Sequence, residues 1–569
     1  MRRVLATTVF AVVALAMLAP PVLAQAPAPK VTITGLFDQV TTAGRNFYDG
    51  NYSRDNDREW YARTRFRPDF VFEVGRTKAV LALELDLNYG QTGSNDGGFP
   101  GNSSGTACGF VGGCKGAGAA GGGLDINTDV AGLIEIKWIY TEFDLTGKDS
   151  ILPFIPVLTV ARAGGQPFST IANYKPTYAN GDFAGLDLYT TFTPEIKNHL
   201  AWVDVEDQLA GGNRTLAPLR TNRGKDYALI WSPEITPIKG LDIKPVVSWF
   251  HADGVTSSST RRNATNVRTA GTQVAGGAFV GSGGMNSVTA TGSSPAGAVA
   301  LAGDATDHEE RYTLGVDARW RMGPFGLDPT IFYQTGTYST QAQRSNGAVS
   351  RVKGEAAAWL ADVIGSFQAG PLLLEARGVY TTGNKARDNL SLSKRYFEPL
   401  DLDTGYWAGW AAIFALGIDY FNGGGGSNQG MDTLIGYDRY GRLGLGFRAT
   451  YNITPAFSVY GIVDPTWAAE KVDTKTNCGA LSVAQAALAC PTRLTVNDQS
   501  WVSGKSRYLG TEIDLGTTWR FAPNVALDLL GAYLFAGDAL NTAELLNGVL
   551  VNRDARDAYY ASARVRLSF

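Results

Sequence analysis

The chain has 569 residues, with 50 basic and 53 acidic side chains, 44% hydrophobic residues, four cysteines and three histidines. So even a charge balance gives no electrostatic basis for nucleic-acid binding, and the hydrophobic content excludes a chain disordered by composition. Beyond residue 24 no uninterrupted apolar run is long enough for a spanning helix, which excludes a helical membrane protein.

Residues 1–24, MRRVLATTVFAVVALAMLAPPVLA, carry a basic start at Arg2 and Arg3, an apolar stretch over 4–18 and small residues up to Ala24. This pattern predicts a secretory signal peptide, cleaved after Ala24 or Ala26, followed by a short segment over 25–30. Export makes disulfides chemically possible. The four cysteines fall into two close pairs, Cys108 with Cys114 and Cys478 with Cys490, and local pairing is the simplest connectivity.

From Val31 onward, segments of about ten residues alternate apolar and polar side chains, the period of a strand. Strands are predicted at 31–44, 58–74, 78–90, 126–143, 153–165, 181–193, 198–207, 222–234, 240–251, 307–321, 328–340, 350–367, 371–383, 438–452, 456–467, 504–521, 524–536 and 554–569. The connections alternate between short ones, such as 75–77 and 368–370, and long ones at 91–125, 252–307, 384–437 and 468–503. That alternation is the arrangement of a transmembrane antiparallel β-barrel with short turns at one end and long loops at the other, an all-β fold of about 18 strands over 31–569. The stretch 405–421, GYWAGWAAIFALGIDYF, is placed in a loop; as a strand pair it would raise the count to twenty. Helical spacing of Trp407, Trp410 and Phe414 suggests instead that this stretch folds into the barrel as a constriction.

In REWYARTRFRPDFVFEV, residues 58–74, Arg63, Arg65, Arg67 and Asp69 share one parity, while Ala62, Thr64, Phe66, Phe70 and Phe72 share the other. A charge at mid-bilayer on the lipid face costs about 2–4 kcal/mol, so the ionic parity must face a wet interior. The same reading along the chain predicts a pore lined by Arg63, Arg65, Arg67, Asp69, Glu84, Asp86, Lys137, Arg311, Asp317, Arg319, Arg377, Arg442, Arg448, Glu512, Asp514, Arg520, Arg564 and Arg566. A barrel of sixteen or more strands is wide enough to hold water. Arg63, Arg65 and Arg67, near the arginines of the last strand, are expected to form a basic wall opposite an acidic one.

With this pattern the chain resembles the outer-membrane β-barrel porins of Gram-negative bacteria. The last strand, YYASARVRLSF, alternates apolar residues from Tyr559 to a terminal Phe569. It is similar to the terminal signal read by the outer-membrane barrel assembly machinery. The resemblance implies a cell outer-membrane location, lipid and the assembly machinery as partners, and small hydrophilic solutes as cargo. Eighteen strands are similar to the monomeric substrate-specific porins and the alginate-export channels, sixteen to the trimeric general porins. The PEF-containing loop of many general porins is not evident, and monomer and trimer both stay open.

An enzyme is the competing class. His199, His251 and His308 are the only histidines, and no nucleophile elbow, zinc-binding or phosphate-cradling motif accompanies them. His251 and His308 flank one long loop and are read as a pair at the rim. The glycine tracts at 116–123 and 422–430 read as external loop. No cofactor and no metal is expected. The expected function is a passive diffusion channel for small hydrophilic solutes with a modest anion preference. The alternatives are export of an anionic polysaccharide and an adhesin-like surface barrel without transport.

Overall fold

The computed structural model describes residues 28–46, 58–89, 134–168, 174–175, 177–179, 181–206, 226–253, 299–344, 349–385, 393–400, 407, 409–414, 440–472, 474, 504–546 and 549–569. Eighteen antiparallel strands make one closed sheet: β1 Lys30–Arg45, β2 Arg58–Val74, β3 Thr77–Tyr89, β4 Ile134–Thr146, β5 Leu158–Pro167, β6 Asp182–Thr193, β7 Ile196–Glu206, β8 Asp226–Ile238, β9 Leu241–Asp253, β10 Val299–Met322, β11 Phe325–Arg344, β12 Val349–Ala369, β13 Leu372–Thr381, β14 Arg442–Thr454, β15 Phe457–Val472, β16 Ser506–Ala522, β17 Val525–Ala536 and β18 Ala558–Ser568. Each strand pairs with the next, and β1 pairs with β18 from Leu36 opposite Ser568 to Arg45 opposite Tyr559. Closure leaves no strand edge unpaired, the condition for a sheet to sit in lipid.

The connections follow from local chemistry. At one end seven of them are two residues long, for example Gly75 with Arg76 between β2 and β3. Gly75 and Gly370 take φ of 61° and 59°, the left-handed conformation that tight hairpins require, and Asn524 does the same at 61°. Only the β4–β5 connection at this end is longer, over 147–157.

The faces separate as the alternation predicts. On β14, Leu443, Leu445 and Phe447 point outward, Phe447 being 54% exposed, whereas Arg442, Gly444 and Gly446 are buried inside. On β16, Ile513, Leu515 and Trp519 are exposed and Glu512 and Asp514 are buried. The outer surface is thus an apolar band, and burial happens within the barrel. The cluster of buried apolar side chains, with Phe168, Tyr178, Phe332, Leu400, Trp407 and Phe414 among its members, lies there.

All eighteen expected strands are present, with bounds shifted by a few residues at most ends and two larger departures. β10 starts at Val299 rather than 307, because Val299, Ala300 and Leu301 extend the ladder to Arg344, Gln343 and Ala342 of β11. Above the apolar band no face has to be greasy, so that extension lacks the alternation that marks a strand. β4 contains a bulge: Ala82 lies opposite Trp138 but Leu83 lies opposite Ile136, leaving Lys137 as the extra residue. Lys137 and Trp138 therefore both reach Asp182 on the inner face, and the parity inverts beyond them. Within 405–421, the described residues contain no strand, which leaves the count at eighteen.

The last residue completes the seam. Gly35 N–H donates to the Phe569 carbonyl at 2.9 Å and Phe569 N–H to the Gly35 carbonyl at 3.0 Å. The Phe569 ring stacks on Phe66 with centroids 6.1 Å apart, and Phe66 in turn meets Phe37 at 6.1 Å.

Candidate functional site in the barrel interior

Three stretches of the long connections fold into the barrel. The first lies between β5 and β6. Phe168 packs edge-on against Phe183 at 5.5 Å, and further along Tyr178 donates its hydroxyl proton to Ser248 Oγ on β9 at 2.7 Å. Between them Tyr174 and Lys175 donate backbone N–H groups to Asp317 Oδ2 at 2.5 and 3.2 Å. The Lys175 ammonium donates to the carbonyls of Asp328 and Asp362 at 2.7 and 2.9 Å. Burial pulls that ammonium below the usual lysine range, opposed by the carboxylates of Asp362 and Asp317.

The second stretch, 393–400, lies between β13 and β14. Ser393–Lys394 adds a two-residue parallel strand to β12, and Leu400 N–H donates to the Tyr178 carbonyl at 2.7 Å, joining the first two stretches. Glu398 and Gln334 exchange hydrogen bonds, N–H to Oε1 at 2.9 Å and Nε2–H to the carbonyl at 2.7 Å. Arg311 binds both Glu309 at 2.8 Å and Glu398 at 2.7 Å. A fully desolvated guanidinium holds only with such partners.

The third stretch contains Trp407 and residues 409–414. Trp410 N–H donates to the Trp407 carbonyl at 2.9 Å, a single turn rather than the helix that the spacing suggested. Glu512 accepts N–H bonds from Ala412 and Ile413 at 2.6 Å each and from Phe414 at 2.8 Å. Trp407 donates its indole N–H to Asp464, and Arg448 donates to the Gly409 carbonyl at 3.2 Å. The indoles lie on a glycine floor. A Cβ on Gly446 would come within 2.7 Å of the Trp410 ring, and one on Gly444 within 3.1 Å of Trp407. Over Trp407 stand the guanidinium groups of Arg377 at 4.4 Å and Arg442 at 5.5 Å.

The wall charges are arranged in local pairs. Arg65 meets Glu84 at 2.5 Å, Arg377 binds Asp362 at 2.8 and 3.2 Å, Arg564 meets Asp38 at 2.5 Å and Arg566 meets Asp528 at 2.6 Å. Lys137 is paired with Asp182 at 2.7 Å. A continuous basic wall opposite an acidic one is not what this geometry presents, since arginines of β2 and β18 sit beside carboxylates of adjoining strands. Arg67 and Arg319 stand apart from this scheme. The first stacks on Trp138 at 4.6 Å; the second stacks on Tyr174 at 4.4 Å, donates to its carbonyl at 3.0 Å and is exposed. Asp69 is half-buried on the inner face of β2, and Arg520 is exposed next to the short turn between β16 and β17. The side chains of Arg63 and Asp86, and the whole of Cys108, Cys114, Cys478 and Cys490, lie outside the described residues, as do the signal peptide and both glycine tracts.

No protein-family model and no curated protein sequence matches the chain. Among solved structures it is similar to the outer membrane protein OprD from Pseudomonas aeruginosa, at 8% identity and a TM-score of 0.42, over 96% of this chain and 95% of that one. A BenF-like porin from Pseudomonas fluorescens Pf-5 matches at 8% identity and 0.42, over 95% and 98% of the two chains. OpdQ from Pseudomonas aeruginosa matches at 8% and 0.40, over 95% and 98%. Likeness at this level assigns neither family nor solute, and the functional reading rests on the barrel itself.

The histidines make no catalytic constellation with a nucleophile among the described residues. His199 Nδ1 lies 3.2 Å from Asp187 on the inner face. His251 and His308 do come together, rings 5.7 Å apart, but on the outward parity. There His251 Nδ1 lies 2.7 Å from Glu310, which also accepts the Trp249 indole N–H at 2.5 Å. The sequence reading missed the stretches at 174–179 and 393–400 and the partners Asp182, Asp362, Glu309 and Asp464. For the third stretch a signal exists: in RLGLGFR the inward positions beside Arg442 and Arg448 are both glycine, room kept for something bulky to lie against the wall.

Proposed function

We propose that the protein is an outer-membrane channel for passive diffusion of small hydrophilic solutes, narrowed from inside by its own connections. The observation that carries this reading is the inner face of a closed eighteen-strand barrel: ionised groups point inward beneath an apolar exterior, and three inward stretches are tied to that wall. Inward ionic groups beside the inner apolar cluster suit a wet passage whose width and field select solutes. The selecting cations in this reading are Arg319 and Arg67, which are stacked on rings, whereas Arg65, Arg377, Arg564 and Arg566 brace the wall through their carboxylate partners. Export of an anionic polysaccharide would call for a ladder of arginines open to carboxylates, whereas Arg65, Arg377, Arg564 and Arg566 are bound to carboxylates of the wall.

The test is single-channel conductance and reversal potential of the refolded chain in a planar bilayer under a salt gradient. A stable, salt-dependent conductance with an anion-leaning reversal potential is expected. A correctly folded barrel that passes no current would overturn the reading.

A further inference from the structure

The third inward stretch is held by an unusual anchor. Three consecutive backbone N–H groups converge on one buried carboxylate, Glu512, and a fourth donor, the Trp407 indole, engages Asp464 directly opposite it across the β15–β16 ladder. An ionised carboxylate has only acceptor positions and suits this ring of donors; a protonated one turns an oxygen into a donor. Three of the carboxylate's acceptor sites are taken, two on Oε1 and one on Oε2, so a proton settles on Oε2 and competes with the Phe414 bond, while loss of the negative charge weakens all three. In a buried site no water makes up for the weakened bonds.

The surroundings concentrate negative charge at this point. Facing Glu512 are Asp464 on β15, directly across the ladder, and Asp514, two residues on along β16 and within side-chain reach of it; the cation acting on Asp464 is Arg442 on β14, while Arg448 is paired with Glu375 and Asp528 with Arg566. Arg377 is bound to Asp362, and Arg442 lies over the Trp407 ring while acting on Asp464; the direct hydrogen bonds to Glu512 and Asp464 come from the backbone of 412–414 and from the indole.

We propose that Glu512, with Asp464 beside it, is a proton-released latch: ionised, the pair holds Trp407 and residues 409–414 on the inner wall, where they narrow the lumen, and acidification loosens them and changes the width of the channel. This inference rests on the channel reading and adds a regulation to it. Gly409 takes φ of 81°, so the stretch enters the turn through a residue that tolerates it, and its hold on the barrel is made by these polar contacts and the glycine floor rather than by a strand ladder.

The experiment is single-channel conductance of the refolded full chain from about pH 8 to about pH 4, across the carboxylate range, for the unsubstituted protein, Glu512→Gln and Trp407→Phe. Heat-modifiable mobility on a gel establishes that each barrel is closed. The unsubstituted channel is expected to widen on acidification by roughly twofold in conductance. Glu512→Gln, which cannot accept all three N–H groups, should be wide at every pH, and Trp407→Phe should open at a higher pH than the unsubstituted chain. Conducting channels whose pH profiles are flat in the unsubstituted protein, or the same in all three, would overturn the latch and leave the channel reading standing. Closed barrels that never conduct would overturn both.

Discussion

Asp362 on β12 grips Arg377 on β13 through two hydrogen bonds, 2.8 and 3.2 Å long, while the other side of the guanidinium carries the Trp407 indole at 4.4 Å. One side chain thus joins the barrel wall to the stretch that narrows it. Asp362 also receives the Lys175 ammonium, 3.6 Å from its Oδ1, so two inward stretches depend on a single carboxylate. Removing one partner of a buried ion pair strands the other, at a cost of roughly 3–5 kcal/mol. Asp362→Ala should therefore lower the barrel's unfolding free energy by about that amount in a denaturant titration. Arg377→Met with Asp362→Leu should recover the part of the loss due to Arg377, Lys175 still lacking the carboxylate, and a double variant as unstable as Asp362→Leu alone would put the cost on Lys175 and refute the Arg377 pair as its source.

The strand pattern was legible because the barrel sets an apolar outer face against a charged inner one. On strands of the apolar band the alternation is plain, and Leu443, Leu445 and Phe447 against Arg442, Gly444 and Gly446 can be read without a structure. Outside that constraint the reading weakens: Val299 to Leu301 pair as a strand but carry no periodicity, and at Lys137 one inserted residue inverts the parity beyond it. The interior was legible only by residue type. Arg65 was read as inward, but its meeting with Glu84 across β2 and β3 depends on register and side-chain reach, and the ties of Tyr174 and Glu398 to distant strands have no local signature.

The glycine floor gives a second expectation. Gly446→Leu places its first side-chain carbon 2.7 Å from the Trp410 ring, so the indole must leave the wall. Overpacking of this kind costs about 1–3 kcal/mol. The variant should fold, with a modest drop in stability and a changed single-channel conductance. Gly365, where an added Cβ meets nothing within 4 Å, is the control: Gly365→Ala should leave conductance as it was.

Selectivity separates stacked from paired arginines. Arg319→Ser removes an exposed lumenal cation and should shift the reversal potential toward cations. Replacing Arg65 and Glu84 together by Met and Gln removes a neutral pair and should leave the reversal potential in place while stability changes. Equal shifts from both variants would return the selecting role to the β2 arginines.

The seam tests the terminal strand. Phe569 closes the barrel by exchanging two backbone hydrogen bonds with Gly35 and covers Phe66 from outside. Deleting Phe569 removes both bonds and exposes the Phe66 ring, at the one pairing in the sheet made between the two ends of the chain. Since closure of that pairing is the last contact available to a barrel built from consecutive hairpins, its loss should slow assembly more than it lowers final stability. The expected result is a delayed appearance of the heat-modifiable form during refolding into lipid vesicles, with Phe569→Leu intermediate because it keeps the backbone bonds and loses the ring contact. Identical refolding rates for the full chain and the deletion would show that the seam forms without its terminal residue.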